Sequence, residues 1–174
     1  MDNIKRICLW SGPRNISTTL MRSFGNRMDT FVSDEPFYAY FLDKNNIDHP
    51  IRDIILKKYD RDFNSITKSL LGIIPQNKPI WYQKQMSQHI FYKDDLSWTD
   101  NYINCFLIRD PKKVIISYSK IYSKINPELL GYPQLLRVFK RVCAKTNKTP
   151  IIIDSDDFLK KPENNLKNIC KKLK

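Results

Sequence analysis

"SGPRNISTTLM" (residues 11–21) follows the apolar run "IKRICLW" (residues 4–10) and leads into helical spacing of Leu20, Met21, Phe24 and Met28. Four consecutive apolar residues, Ile7 to Trp10, mark a buried strand, and the period-3.6 pattern marks a helix. Gly12 and Pro13 supply the turn between them. A strand, a tight turn and a helix start direct free backbone N–H groups and a helix dipole toward one point, which favours an anion. Arg14 adds a permanently charged, bidentate donor, and Ser17, Thr18 and Thr19 add hydroxyls. The loop has one glycine and lacks the Gly-Lys pair of nucleotide-hydrolysing loops. Taken alone it reads equally well as a helix capped by Ser17 with a surface Arg14.

Outward from this loop the chain repeats the same alternation. Strand patterns are predicted at "TFVSD" (residues 30–34), "KPIWYQKQM" (78–86), "NCFLIRD" (104–110) and "TPIIIDSDDF" (149–158). Helices are predicted over residues 17–28, 114–125, 133–144 and 162–173, with a helical insertion over 44–75. Pro162 starts the last helix, where Leu166, Ile169, Cys170 and Leu173 form one stripe. This alternation predicts a three-layer α/β fold, P-loop-like, with a mostly parallel central sheet flanked by helices. Ligands of such sheets bind at the carboxyl ends of the strands. Polar clusters fall at those ends: "SGPRN", "SDEP", "KQMSQH", "RDP" and "DSDD".

The chain has 174 residues, long enough for one domain with its own core. Its 30 basic and 18 acidic residues give +12, which favours anionic partners without choosing among them. Basic residues are spread along the chain and no nucleic-acid recognition motif is present, so a specific nucleic-acid partner is not expected. Four distant cysteines and two histidines make a zinc site unexpected, and no metal is assigned. The absence of a signal-peptide pattern and of a membrane-length apolar run predicts a reduced, soluble, cytoplasmic protein.

A second constellation gives the loop a partner. In "IRDPKKVIISYSK" (residues 108–120), Arg109 sits at a strand end, Asp110 and Pro111 turn the chain, and Ser117 follows two helical turns later. An arginine and a serine so placed converge on a phosphate from two sides, which suggests two separate phosphate sites. With this pair the chain resembles the sulfotransferases that use 3′-phosphoadenosine 5′-phosphosulfate (PAPS). Their first motif, of the type Pro-Lys/Arg-Ser-Gly-Thr-Thr, is matched by Pro13, Arg14, Ser17, Thr18 and Thr19. Their second, Arg-Asn/Asp-Pro followed by Ser-Tyr, is matched by Arg109, Asp110, Pro111, Ser117 and Tyr118. The loop departs at Asn15-Ile16, where the family often has Ser-Gly.

The resemblance implies one sulfotransferase-like domain over residues 1–174, lacking the family's C-terminal segment that covers the cofactor. It implies PAPS as co-substrate, bound by Gly12, Pro13, Arg14, Asn15, Ser17, Thr18 and Thr19 at the 5′-phosphosulfate. Arg109 and Ser117 would take the 3′-phosphate. Sulfuryl transfer needs no magnesium pair, which accounts for the missing Gly-Lys. Arg14 and Lys84 would stabilise the transferring group. The base would be Glu35 or, ranked below it, His89; capping and helix-surface roles respectively are the rival readings of these two residues. The acceptor would be a hydroxyl or amine of a small molecule or glycan. A P-loop-type phosphometabolite kinase and an inactive phosphonucleotide-binding relative are the alternatives. Phe37, Tyr38, Tyr40 and Phe41 are read as acceptor-pocket walls or as core, and Asp154, Asp156 and Asp157 as caps and turns.

Overall fold

Strand β1 (Lys5–Ser11) is buried along nearly its whole length because it lies in the middle of a sheet covered on both faces. The computed structural model describes residues 4–47 and 49–173. Around β1 the strands β2 (Thr30–Asp34), β3 (Ile80–Met86), β4 (Ile103–Ile108) and β5 (Ile151–Asp154) run in the order β2-β3-β1-β4-β5. All four pairings are parallel, so the sheet is wholly rather than mostly parallel.

Eight α-helices lie between or after the strands among the described residues: α1 (Ser17–Gly25), α2 (Tyr38–Asn45), α3 (Arg52–Lys58), α4 (Phe63–Leu71), α5 (Pro111–Ser119), α6 (Tyr132–Thr146), α7 (Ser155–Lys160) and α8 (Pro162–Lys172). Alternation along the strands divides the core into two layers. Ile7, Leu9, Tyr82, Cys105 and Leu107 pack with Leu20 and Phe24 of α1, Phe158 of α7 and Ile169 of α8. Cys8, Trp10, Trp81 and Phe106 face the other way, onto Ile66 and Leu70 of α4 and Val138 and Val142 of α6. Each large apolar side chain so buried contributes about 1.5–3 kcal/mol. Three layers therefore follow from period-2 strands between amphipathic helices.

Two predicted helices end earlier. The first stops at Gly25 rather than Met28, which is 86% exposed. The helix predicted over 114–125 spans Pro111–Ser119, because only Val114 and Tyr118 of it are buried. Residues 120–131 instead return as irregular chain across the first loop. A Cβ on Gly12 would stand 2.5 Å from the carbonyl oxygen of Leu130, so this approach requires glycine. All four cysteines are free; burial pushes the Cys105 thiol up to about 12. Among the described residues, no helix is long and apolar enough to cross a membrane.

Candidate active site

Register brings the strand ends level. Asp34 of β2 is opposite Lys84 of β3, and Ser11 of β1 is opposite Met86 of β3 and Leu107 of β4. The chain leaves β1 toward β2 and β3 and later returns to β4 and β5 on the other side. The carboxyl end of β1 is thus the switch point where such sheets hold ligands. A cavity of about 710 Å³ opens there.

The loop after β1 is held from below. Asn15 is 2% exposed and directs its amide into the fold, donating to the Leu107 carbonyl at 3.4 Å, while Ser155 donates to the Asn15 carbonyl at 3.2 Å. Arg14 (φ 64) and Ile16 (φ 57) both take left-handed backbone. A β-branched residue there is an outlier, at a cost of about 1–2 kcal/mol. This is where the sequence departs from the usual Ser-Gly: Asn15 anchors the loop and Ile16 occupies a position suited to glycine. Ile16, not Ser17, is the N-cap of α1, and its side chain gives no capping bond; Ser17 is the first helical residue. Thr19 and Leu20 donate to the Ile16 carbonyl. That leaves the N–H groups of Ser17 and Thr18, at the start of α1, as donors with no helix bond, and a helix start of this kind favours an anion.

Arg14 Nε donates to Ser117 Oγ at 2.9 Å, and Arg109 Nη1 donates to the Arg14 carbonyl at 2.8 Å. One hydrogen-bond network therefore links the residues expected at the two phosphates. Arg109 Nε is buried without a hydrogen-bond partner, 3.9 Å from Asp156, whose other oxygen pairs with Lys113 at 3.0 Å. A buried guanidinium N–H with no acceptor fits an arriving anion.

Across the cavity stands Lys84, whose side chain is 4% exposed. Its ammonium donates to Thr18 Oγ1 at 3.0 Å, Asp34 Oδ1 at 2.8 Å and Glu35 Oε1 at 2.7 Å. Burial alone opposes its charge most strongly, but the two carboxylates outweigh burial and hold it above its ordinary value. Glu35 (φ 50) is aimed by its own backbone: its N–H donates to the Lys84 carbonyl, and its carbonyl accepts from Tyr38. It caps no helix; α2 begins at Tyr38 behind Phe37, with no side-chain cap.

His89 is 2% exposed and not on a helix surface. It ends a short 3-10 turn (Ser87–His89) directly after β3. Tyr38 and Phe41 hold its ring at centroid distances of 5.3 and 4.7 Å, and its Nε2 lies 3.9 Å from Glu35 Oε2. Burial, aided by Lys84, lowers its pKa to about 3. The unfolded chain takes up this proton near pH 6.5 and the folded chain does not until about 3. Stability therefore falls as pH drops through that window. Urea midpoints at pH 7 and pH 5 are expected to differ less in His89→Gln than in the parent chain; equal differences would show that His89 is not buried neutral.

The four neighbouring aromatics divide. Phe37 and Tyr40 are core, whereas Tyr38 and Phe41 line the cavity, together with Ile47, Tyr118, Ile121 and Tyr122. Asp154 caps α7, accepting from the N–H groups of Asp156 and Asp157. Sequence reading missed Asp34, whose only signal is its place beside Glu35 at the end of β2. Tyr122 and Ile121 carried no signal at all, because they lie in the segment read as helix.

Comparison with known proteins follows the same outline. The family model for the sulfotransferase domain matches residues 5–174. Two Arabidopsis thaliana proteins, branched-chain-amino-acid aminotransferase-like proteins 2 and 1, are 33% and 32% identical over 161 residues. That alignment covers 92% of this chain but 28% of each relative's length. A sulfotransferase from Alicyclobacillus acidocaldarius is similar in fold, with a TM-score of 0.58 at 10% identity, covering 97% of this chain and 81% of that one.

Proposed function

We propose, because this chain belongs to the sulfotransferase domain family, that it transfers a sulfuryl group from PAPS to a hydroxyl or amine of a small-molecule or glycan acceptor. One observation carries the reading: Arg14, Thr18, Lys84 and the N-terminus of α1 face the same cavity as the carboxylate of Glu35. Cations and N–H donors so fixed stabilise charge on a transferring group and on its leaving phosphate. Arg14, Ser17, Thr18 and the loop from Gly12 to Thr19 would hold the 5′-phosphosulfate. Arg109, with its unpartnered Nε, and Ser117 would hold the 3′-phosphate.

Glu35 takes the acceptor's proton, ahead of His89, whose lowered pKa makes it a weak base. The new bond joins the acceptor atom to sulfur. The bond between sulfur and the bridging oxygen breaks, and its electron pair leaves with adenosine 3′,5′-bisphosphate. The four free thiols support a cytoplasmic setting.

A thermal-shift comparison tests the donor class. At a hundredfold excess over Kd, a ligand adds about 2.7 kcal/mol of stability, or about 5–10 °C for a domain of this size. Adenosine 3′,5′-bisphosphate is expected to give a shift of this order, and ATP with Mg²⁺ a smaller one. An equal or larger shift with ATP and Mg²⁺ would favour the kinase alternative and end the sulfotransferase reading.

A further inference from the structure

His89 closes the cavity between Glu35 and the aromatic wall. Its Nδ1 is buried with no hydrogen-bond partner, and its Nε2 points toward Glu35 Oε2. A neutral imidazole carries one hydrogen. On Nδ1 that hydrogen would be a buried donor without an acceptor, and the Nε2 lone pair would face a carboxylate. On Nε2 the hydrogen faces the carboxylate, which is the favourable arrangement. Other charges nearby agree: Lys84, paired to the same Glu35, disfavours a second cation, so the ring stays neutral. The resting tautomer is Nε2–H, and the nitrogen facing Glu35 has no lone pair with which to accept a proton.

We propose that His89 is a hydrogen-bond donor rather than a base, and that with Glu35 it selects a hydroxyl acceptor over an amine. This rests on the sulfotransferase reading of the cavity. An oxygen about 2.8 Å from both Nε2 and Oε2 spans their 3.9 Å separation at close to a right angle. A hydroxyl has one hydrogen and two lone pairs. Its hydrogen goes to Glu35, one lone pair accepts from His89, and the other attacks sulfur. As the oxygen–sulfur bond forms, the bridging bond breaks, its electron pair leaves with the bisphosphate, and the proton ends on Glu35. A neutral amine has a single lone pair, which the attack consumes, so the His89 N–H is left without an acceptor. An ammonium has no lone pair and meets Lys84 and Arg14, both cationic. Tyr38 and Phe41, which flank His89, favour a flat body behind the hydroxyl.

The test begins with 15N-labelled histidine, which gives two ring systems, assigned with His49→Gln. Long-range 1H–15N spectra of the full chain are expected to show His89 as neutral Nε2–H at pH 7 and at pH 5.5. The Nδ1–H tautomer, or an imidazolium at pH 7, overturns the donor role. Next, protein saturated with adenosine 3′,5′-bisphosphate is titrated with 2-naphthol and with 2-naphthylamine, molecules of nearly the same shape. The naphthol is expected to move the His89 Nε2 signal and to bind about tenfold or more tightly than the amine. An equal or stronger response to the amine, or no response to either, overturns the acceptor assignment. Absence of bisphosphate binding with the Nε2–H tautomer intact ends the sulfotransferase reading instead.

Discussion

Glu35→Gln is expected to lower sulfuryl transfer by about 10²–10⁴-fold, the range a positioned general base contributes. The substitution keeps the side chain's shape and leaves one oxygen for Lys84, but the amide cannot take the acceptor's proton. Lys84 retains Asp34 and Thr18, at 2.8 and 3.0 Å, so the cation facing the donor stays in place. The backbone that aims residue 35 is likewise untouched, since it is fixed by the bonds to the Lys84 carbonyl and the Tyr38 N–H. Stabilisation by adenosine 3′,5′-bisphosphate should therefore survive while turnover, followed by release of that product from PAPS, collapses. Full turnover in Glu35→Gln, with loss in His89→Ala, would move the base to His89.

The second large effect is on binding. Arg109→Ala removes a cation whose Nε lacks a hydrogen-bond partner and whose Nη1 holds the Arg14 carbonyl. A hydrogen bond to a charged group is worth about 1.5–3 kcal/mol, or about 10–150-fold in Kd. The real loss should lie at the upper end, because Arg14 also loses the bond that fixes its left-handed backbone. Calorimetric titration with adenosine 3′,5′-bisphosphate is the direct measurement, with Arg109→Lys as companion. Lysine keeps the charge but not the planar fork, so partial recovery is expected. An unchanged Kd in Arg109→Ala would remove the second motif from the binding site.

The five strands and the loop after β1 were legible because each is written within a few consecutive residues. "IKRICLW" reads as a buried strand whatever surrounds it, and Gly12-Pro13 turns the chain locally. Helix ends were less legible. Ile121 continues the apolar pattern of Ile115 and Ile116 beyond Ser119, yet Ile115, Ile116 and Ile121 are 42%, 61% and 59% exposed. Periodicity reports which residues are apolar and not which face finds a partner. The two motifs were readable, but not that Arg14 Nε would donate to Ser117, 103 residues away. Asn15-Ile16, a plain departure in the sequence, gains a cause: Asn15 ties the loop to the end of β4.

By itself the sequence determined the alternation of strands and helices, the loop that gathers N–H groups, and the identities of Arg14, Glu35, Lys84, His89 and Arg109. Tertiary structure alone decided that Arg14, Glu35, Lys84 and His89 line one cavity, with Arg109 bonded to the Arg14 carbonyl beside it. Parallel register sets Asp34 opposite Lys84, the order β2-β3-β1-β4-β5 puts the loop between Lys84 and Arg109, and burial leaves His89 neutral beside Glu35. The physical reason is range. Local propensity and turn chemistry act over a few residues, while charge pairing and desolvation depend on which distant segments the sheet brings together.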